Sequence, residues 1–314
     1  MRSYFLIDIG GTFIKYGVAD AGGRFIEKGA MRNPAREQNV GVMLSAIIGR
    51  IRSYQERGDC ELSGVAIATA GIVDTVAGKI VYASDNIPGY TGTELSRIIG
   101  GAARLPVAAE NDVNCAALGE YWLGAGRIKK GEAKSPSPFF CMTLGTGVGG
   151  AVIIDGKVIH GAANFAGEVG LMPMPVGGDG RAGTLEELAS TSAMIRRYRS
   201  MAGMTDDDMA TDGKTIFDNA RLLGERAAVD AIDALIKNLA RGIAGICCVI
   251  NPALVVIGGA IAEEADYMRP RLLKELKCLM LPTIFETTRF EFSRLGNDAG
   301  MLGALYHFKN VYLC

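Results

Sequence analysis

The chain is poor in histidine, with His160 and His307 alone among 314 residues. A metal site needing several histidine ligands is undersupplied, and so is a Ser-His-Asp triad. Chemistry is left to carboxylates, amides and backbone. The seven cysteines (Cys60, Cys115, Cys141, Cys247, Cys248, Cys278 and Cys314) include no CxxC or CxC spacing. Most stand in apolar runs and read as small buried hydrophobes in a reducing, cytoplasmic setting. Charge of one sign is not in excess: 33 Lys and Arg face 34 Asp and Glu, for a net charge of −1, so no basic field points to nucleic acid. Apolar runs are broken by Gly, Asp or Arg well short of the ~20 residues a membrane span needs. A strand begins within three residues of Met1, which reads as leaving no room for a signal peptide.

What is plentiful is glycine, and it falls in a pattern written twice. Tyr4-Phe5-Leu6-Ile7 runs into Asp8-Ile9-Gly10-Gly11-Thr12, and a second strand leaves from Phe13 to Ala19. Phe139-Phe140-Cys141-Met142-Thr143 runs into Leu144-Gly145-Thr146-Gly147-Val148-Gly149-Gly150, followed by the strand Ala151 to Ile154. Two such turns can aim bare backbone N–H groups at one anion. The second copy matches GxGxxG, but a dinucleotide fingerprint needs a helix after the glycines. A strand and the turn Asp155-Gly156 follow instead, so that reading is rejected. Gly213-Lys214-Thr215 imitates the end of a P-loop, yet position 208 is Asp where the first glycine is required. It reads as a helix start.

Each copy opens an α/β half. Periodicity predicts a helix over 40–54, a buried strand over 64–68, a helix capped by Thr91 or Thr93 and stopped at Gly100-Gly101, and a strand over 105–110. A helix over 113–123 follows. In the second half, helical material spans 185–250, with a long buried helix over 229–250 and a strand over 253–257. A strand over 288–292 and a helix over 299–308 close the chain. The fold expected is α/β: two α/β domains facing each other across a central cleft. Residues 1–114, completed by the terminal helix 299–314, form the smaller one, and residues 115–298 the larger.

Within this frame several residues carry two readings. Asp8 with Gly10, Gly11 and Thr12 is either a hairpin with an acidic shoulder or a phosphate turn. In the second case Asp8 orients the waters of a Mg²⁺ ion. Glu110-Asn111-Asp112 is either a helix cap or a site in which Asp112 is a general base for a hydroxyl attacking phosphorus. Glu168 sits among glycines and apolar residues that give a carboxylate little reason to be there. Glu187 reads as solvated surface, and both histidines read as structural.

Together these segments resemble the ROK family of sugar kinases, within the actin-like, hexokinase-like ATPase superfamily. Asp8 to Lys15 is similar to the first phosphate motif, Leu144 to Ala151 to the second, and Val255-Val256-Ile257-Gly258-Gly259-Ala260 to the adenosine motif. Glu110 to Glu120 is similar to the catalytic segment. The resemblance implies ATP-dependent phosphorylation of a hexose at its 6-hydroxyl, with closure expelling water. It makes Asp112 the base and Asn111 a sugar ligand. Glu168 and Glu186 would bind hydroxyls near C1 and C2, and Gly71 would line the sugar pocket with Asn86 near it. Asp8, Gly10, Gly11, Thr12, Lys15, Gly145, Thr146, Gly147, Gly258 and Gly259 would hold Mg·ATP. A homodimer is implied, and nucleic acid and membrane are not. A non-catalytic sugar-binding sensor using the same residues is the alternative.

One departure stands out. Most of the family carries a zinc signature, a histidine three residues after the first glutamate and then CxCGxxGC. Here Leu171 takes the histidine position, and Gly177, Asp179 and Thr184 take cysteine positions. The resemblance is then to the zinc-free members, such as β-glucoside kinases and some N-acetylmannosamine kinases. Four ligands are gone, and no structural zinc is expected. Elemental analysis of the purified protein should find none; one tightly held zinc per chain would overturn this.

Overall fold

The computed structural model describes residues 2–58, 61–128, 131, 134–176, 181–205 and 211–313. The elements run β1 (Ser3–Ile9), β2 (Phe13–Asp20), β3 (Phe25–Arg32), α1 (Val40–Arg57), β4 (Leu62–Thr69), β5 (Ile72–Asp74), β6 (Lys79–Tyr82), α2 (Leu95–Ala103), β7 (Val107–Asn111) and α3 (Asp112–Trp122). They continue with β8 (Phe139–Leu144), β9 (Val148–Ile154), β10 (Lys157–Val158), β11 (Pro173–Val176), β12 (Arg181–Thr184), α4 (Leu185–Ala189), α5 (Thr191–Met201), α6 (Gly213–Asp218) and α7 (Arg226–Ile250). The last are β13 (Leu254–Gly258), α8 (Ala265–Leu279), α9 (Pro282–Thr287), β14 (Arg289–Phe292) and α10 (Ala299–Tyr312).

The chain divides into two compact α/β units. Unit 1 holds 1–129, 160–166 and 297–314; unit 2 holds 130–159 and 167–296. Each is built on a five-stranded sheet, ordered β3-β2-β1-β4-β7 in unit 1 and β10-β9-β8-β13-β14 in unit 2. The repeated motif therefore reflects a repeated sheet, with the same antiparallel hairpin joined to two parallel strands.

In unit 1, alternate residues of β1 serve opposite faces, as the strand period requires. Phe5, Ile7 and Ile9 join Met43, Ile47 and Ile51 of α1 and Ile99 of α2. Tyr4 and Leu6 join Cys115 of α3 and Met301, Leu305 and Phe308 of α10. With both faces covered, the strand reads as a near-continuous apolar run. In unit 2, Phe140, Met142 and Leu144 lie with Leu235, Leu239 and Ile243 of α7 and Leu272 of α8.

The boundary between units falls after residue 129, not after 114. A cut at 114 would pass through α3, whose backbone is in contact with α10 of the same unit. Glycine allows this: a Cβ on Gly303 would collide with the Cys115 carbonyl, and one on Gly119 with the Ala299 carbonyl. The segment 160–166 also belongs to unit 1, although elements of unit 2 flank it in sequence.

Other expectations shift for local reasons. Neither Thr91 nor Thr93 caps α2; Glu94 takes that position, and Thr91 Oγ1 instead accepts from Ala83 N at 3.0 Å. Gly100-Gly101 does not stop α2, which runs to Ala103 before Arg104 turns left-handed at φ 55°. Cys248 and Cys278 are exposed, not buried. Residues 213–218 are a helix start, capped by Asp212 Oδ1 accepting from Thr215 N, while Asp208, Cys60 and Cys314 lie outside the described residues. The hairpins β5–β6 and β11–β12 were not expected.

The glycine contact between α3 and α10 is testable against a control. Gly303→Ala is expected to destabilise the protein by about 1–3 kcal/mol or more, because backbone cannot yield as a side chain does. Gly49→Ala lies in α1 with nothing within 4 Å of its Cβ. It is expected to stabilise by up to ~1 kcal/mol through helix propensity. Urea unfolding of both variants checks the opposite signs.

Candidate functional site

The first glycine turn, in unit 1, is fixed from behind by a residue the sequence reading missed. Gly10 N donates to Phe13 O at 3.0 Å. Asn33 Nδ2 donates to Gly10 O at 2.8 Å, and Asn33 N to Thr12 O at 2.8 Å. Asn33 is buried; its one sequence signal is a polar residue just past a strand end. Thr12 is exposed, and Asn86 is exposed beside Gly11, where a Cβ on the glycine would lie 3.4 Å from Asn86 Cβ. Asn86 thus stands beside the first glycine turn.

Antiparallel register sets Asp8 opposite Lys15, whose Nζ is 3.6 Å from Asp8 Oδ2 and donates to Asn297 Oδ1 at 3.2 Å. Burial pushes the Asp8 carboxyl above its usual range, against the pull of Lys15. A largely buried carboxylate held in this way favours a further positive charge. That suits Mg²⁺, which binds through one or two carboxylates and keeps several waters.

The second centre of unit 1 is the junction of β7 and α3. Asn111 is the N-cap of α3: its Oδ1 accepts from Val113 N at 2.9 Å and Asn114 N at 3.1 Å. Its Nδ2 donates to Gly71 O at 2.9 Å and to Asp112 Oδ1 at 3.1 Å. Asp112 Oδ1 also accepts from Val113 N at 2.9 Å. The residue that caps the helix thus also holds the neighbouring carboxylate. Gly71 sits at φ 98°, a left-handed conformation that favours glycine, and its carbonyl is spent on Asn111.

Behind the junction lies Glu110, fully buried. Its Oε1 accepts from Asn111 N at 2.7 Å and Asn114 Nδ2 at 3.0 Å. Its Oε2 is 2.6 Å from His160 Nε2 and 3.9 Å from His307 Nδ1. Burial pushes this carboxyl up, but the His160 bond leads the opposing contributions, and the carboxyl settles below its usual range. The bond to Glu110 raises the pKa of His160, whereas burial lowers that of His307.

Unit 2 carries the second glycine turn, closed by Gly145 N donating to Gly147 O at 3.0 Å. Gly145 has nothing within 4 Å of a Cβ position, so its backbone faces open space. Glu186 lies against this turn: its Oε2 accepts from Val148 N at 3.0 Å and leaves no room for a Cβ on Gly147. Burial, then the like charge of Glu186, pushes the Glu168 carboxyl up. Thr146 is exposed. Gly259, at φ 85°, lies against the Leu144 carbonyl, and Gly258 ends β13 beside Ser293. Leu171, in the histidine position, is 63% exposed. Thr184 has a helix-capping role: it and Glu187 form a reciprocal capping box on α4, so Glu187 is not merely solvated surface. Gly177 and Asp179 lie outside the described residues.

The structure thus groups Asp8, Lys15 and the first turn, then Gly71, Asn111 and Asp112, within unit 1. Gly145, Gly147, Glu168 and Glu186 belong together in unit 2. The raised folded pKa of Glu168 means its contribution to stability is full below the unfolded value and lost as pH rises through the folded one. Glu186→Gln removes the like charge and is expected to bring Glu168 down toward its usual range. An NMR titration of ¹³C-labelled glutamate carboxyls checks this; an unmoved Glu168 would uncouple the pair.

Comparison with known proteins supplies the setting. Residues 4–311 match the ROK family. An uncharacterised protein of Clostridium perfringens is 38% identical over 99% of both chains. A glucokinase of Halalkalibacterium halodurans is 29% identical, with 96% of this chain and 93% of that protein covered. A beta-glucoside kinase of Klebsiella pneumoniae is also 29% identical, with coverage of 97% and 95%. Among solved structures, a putative N-acetylmannosamine kinase from Listeria monocytogenes is 26% identical at TM-score 0.81, covering 98% of this chain and 99% of that one. A ROK glucokinase from Streptomyces griseus in complex with glucose and AMPPNP is 27% identical at TM-score 0.75, covering 96% and 98%. The chain, with its repeated sheets and doubled glycine turn, belongs to the ROK family.

Proposed function

We propose that this protein is an ATP-dependent sugar kinase that phosphorylates the 6-hydroxyl of a hexose or hexose derivative. The observation that carries the reading is Asp112, a carboxylate at a helix start with one oxygen held by Asn111 Nδ2 and Val113 N. A base so fixed is oriented before substrate arrives, which is what proton transfer in a crowded transition state requires. The glucokinase, beta-glucoside kinase and N-acetylmannosamine kinase relatives support the same chemistry.

Asp112 accepts the proton of the sugar hydroxyl as its oxygen attacks the terminal phosphorus of ATP. The bond from that phosphorus to the bridging oxygen breaks, and ADP leaves. Asn111, with Glu168 and Glu186, orients the sugar hydroxyls. Gly10, Gly11, Thr12 and Lys15, with Gly145, Thr146 and Gly147, hold the phosphate chain, and Gly258 and Gly259 lie at the adenosine. Asp8 would hold Mg²⁺ through water; when bound, the metal neutralises charge on the phosphates. The open space where a Cβ of Gly145 would stand leaves room for a phosphate beside the turn. Among the described residues, no helix is long and apolar enough to cross a membrane. A homodimer belongs to the same reading by family resemblance.

A coupled ADP-release assay with glucose, N-acetylmannosamine, N-acetylglucosamine, fructose and cellobiose is expected to show turnover with at least one sugar. Sugar binding without ADP release would favour a sensor. Asp112→Asn is expected to lower turnover by about 10²–10⁴-fold while sugar still binds. Near-normal turnover in that variant would remove Asp112 from the role of base.

A further inference from the structure

The His160–Glu110 pair is not explained by the reaction above, and it joins two parts of unit 1 far apart in sequence. His160 opens the segment 160–166, which closes on itself through Ala166 N donating to His160 O at 3.1 Å. Its side chain, 27% exposed, reaches a carboxylate that is 1% exposed. Glu110 then holds the backbone N–H of Asn111 and the side chain of Asn114. Asn111 in turn holds Gly71 and Asp112. An unbroken run of hydrogen bonds therefore leads from His160 to the carboxylate read as the base.

We propose that His160 is a positioning residue, whose bond to Glu110 fixes the β7–α3 junction and through it the aim of Asp112. This rests on the reading of Asp112 as the base. A carboxylate as buried as Glu110 needs a cationic partner or must take up a proton. Without His160, the buried carboxylate protonates and its Oε1 ceases to be a charged acceptor for Asn111 N. The cap then loosens, and Asp112 with it. His307 Nδ1 stands farther off, 3.9 Å from the same carboxylate, burial lowers its pKa against the pull of Glu110, and its Nε2 has no hydrogen-bond partner. Cys115 on α3, buried beside this carboxylate, feels the charges of Glu110, Asp8 and Asp112, and Asp8 is paired with Lys15.

The sign of the pH dependence follows. His160 is raised, so the pair's contribution is lost as pH rises through its folded value. Glu110 is lowered, so the contribution is lost on the acid side as pH falls through its own folded value.

The test uses the full chain with two variants and two readouts. His160→Ala is expected to lower kcat by about 10–100-fold, the effect of a misaimed catalytic group, with the sugar KM within about threefold. His160→Gln supplies a donor that does not titrate. It is expected to recover only the part of kcat that the hydrogen bond supplies without the charge, and to lose the alkaline limb of the wild-type pH profile. Independently of activity, the amide protons of Val113 and Asn114 are expected to exchange about tenfold faster or more in His160→Ala. Unchanged exchange, or a His160→Ala protein that melts lower but keeps kcat below its melting point, would overturn the proposal. If no sugar is phosphorylated by the wild-type protein, the kinase reading fails, and the exchange measurement still decides whether His160 sets the junction.

Discussion

The constraint on which unit 1 depends is the approach of α3 and α10. Backbone meets backbone at Gly303 against Cys115 and at Gly119 against Ala299. No other residue type fits there. From that contact α3 carries Asn111 and Asp112 at one end, while α10 covers one sheet face with Met301, Leu305 and Phe308. Gly300, at the start of α10, lies close to the Asp8 carboxylate. One helix pair thus sets the depth of the apolar core and the position of two carboxylates.

The duplicated sheets are not duplicated in chemistry. Asp8 pairs with Lys15 one step before the end of its ladder; the corresponding residue in unit 2 is Thr143, paired with Gly149. A carboxylate stands at only one of the two turns. The second turn is instead backed by Glu186, which reaches it from α4. The same backbone plan has therefore been given a charged strand position in one half and a charge borrowed from a helix in the other. Burial works differently on these groups as well. Asp8 and Glu168 are pushed toward the neutral form, whereas the bond to His160 outweighs burial at Glu110 and shifts it toward the ionised form.

Much of this was legible because the signals were local. A strand, a glycine turn and a second strand are neighbours in sequence, and so are Glu110, Asn111 and Asp112. The α/β class and the rejection of a dinucleotide site after Gly150 rested on such runs, and β9 over Val148–Ile154 is a strand. What was not legible depends on long-range contact. Asn33 holds a turn about twenty residues away, and His160 meets Glu110 across fifty positions. A lone histidine after a hairpin carries no mark of such a partner. The unit boundary was misplaced for the same reason: nothing within 112–122 announces that this helix is matched to residues almost two hundred positions later. Thr184 looked like an emptied ligand position, and its use as a helix cap shows only when Glu187 is seen bonded back to it.

The order in which the pieces are synthesised adds a consequence. Residues 297–314 of unit 1 are made after all of unit 2. At a translation rate of ~5–20 residues per second, roughly 10–40 s separates the completion of α3 from the arrival of α10. For that interval Tyr4, Leu6, Ala66 and Ala68 lack the side chains of Met301, Leu305 and Phe308 that will shield them. The nascent chain is thus left with a complete five-stranded sheet one of whose apolar faces is not yet covered. Until α10 arrives, that face is the part of the chain most exposed to unwanted apolar contact.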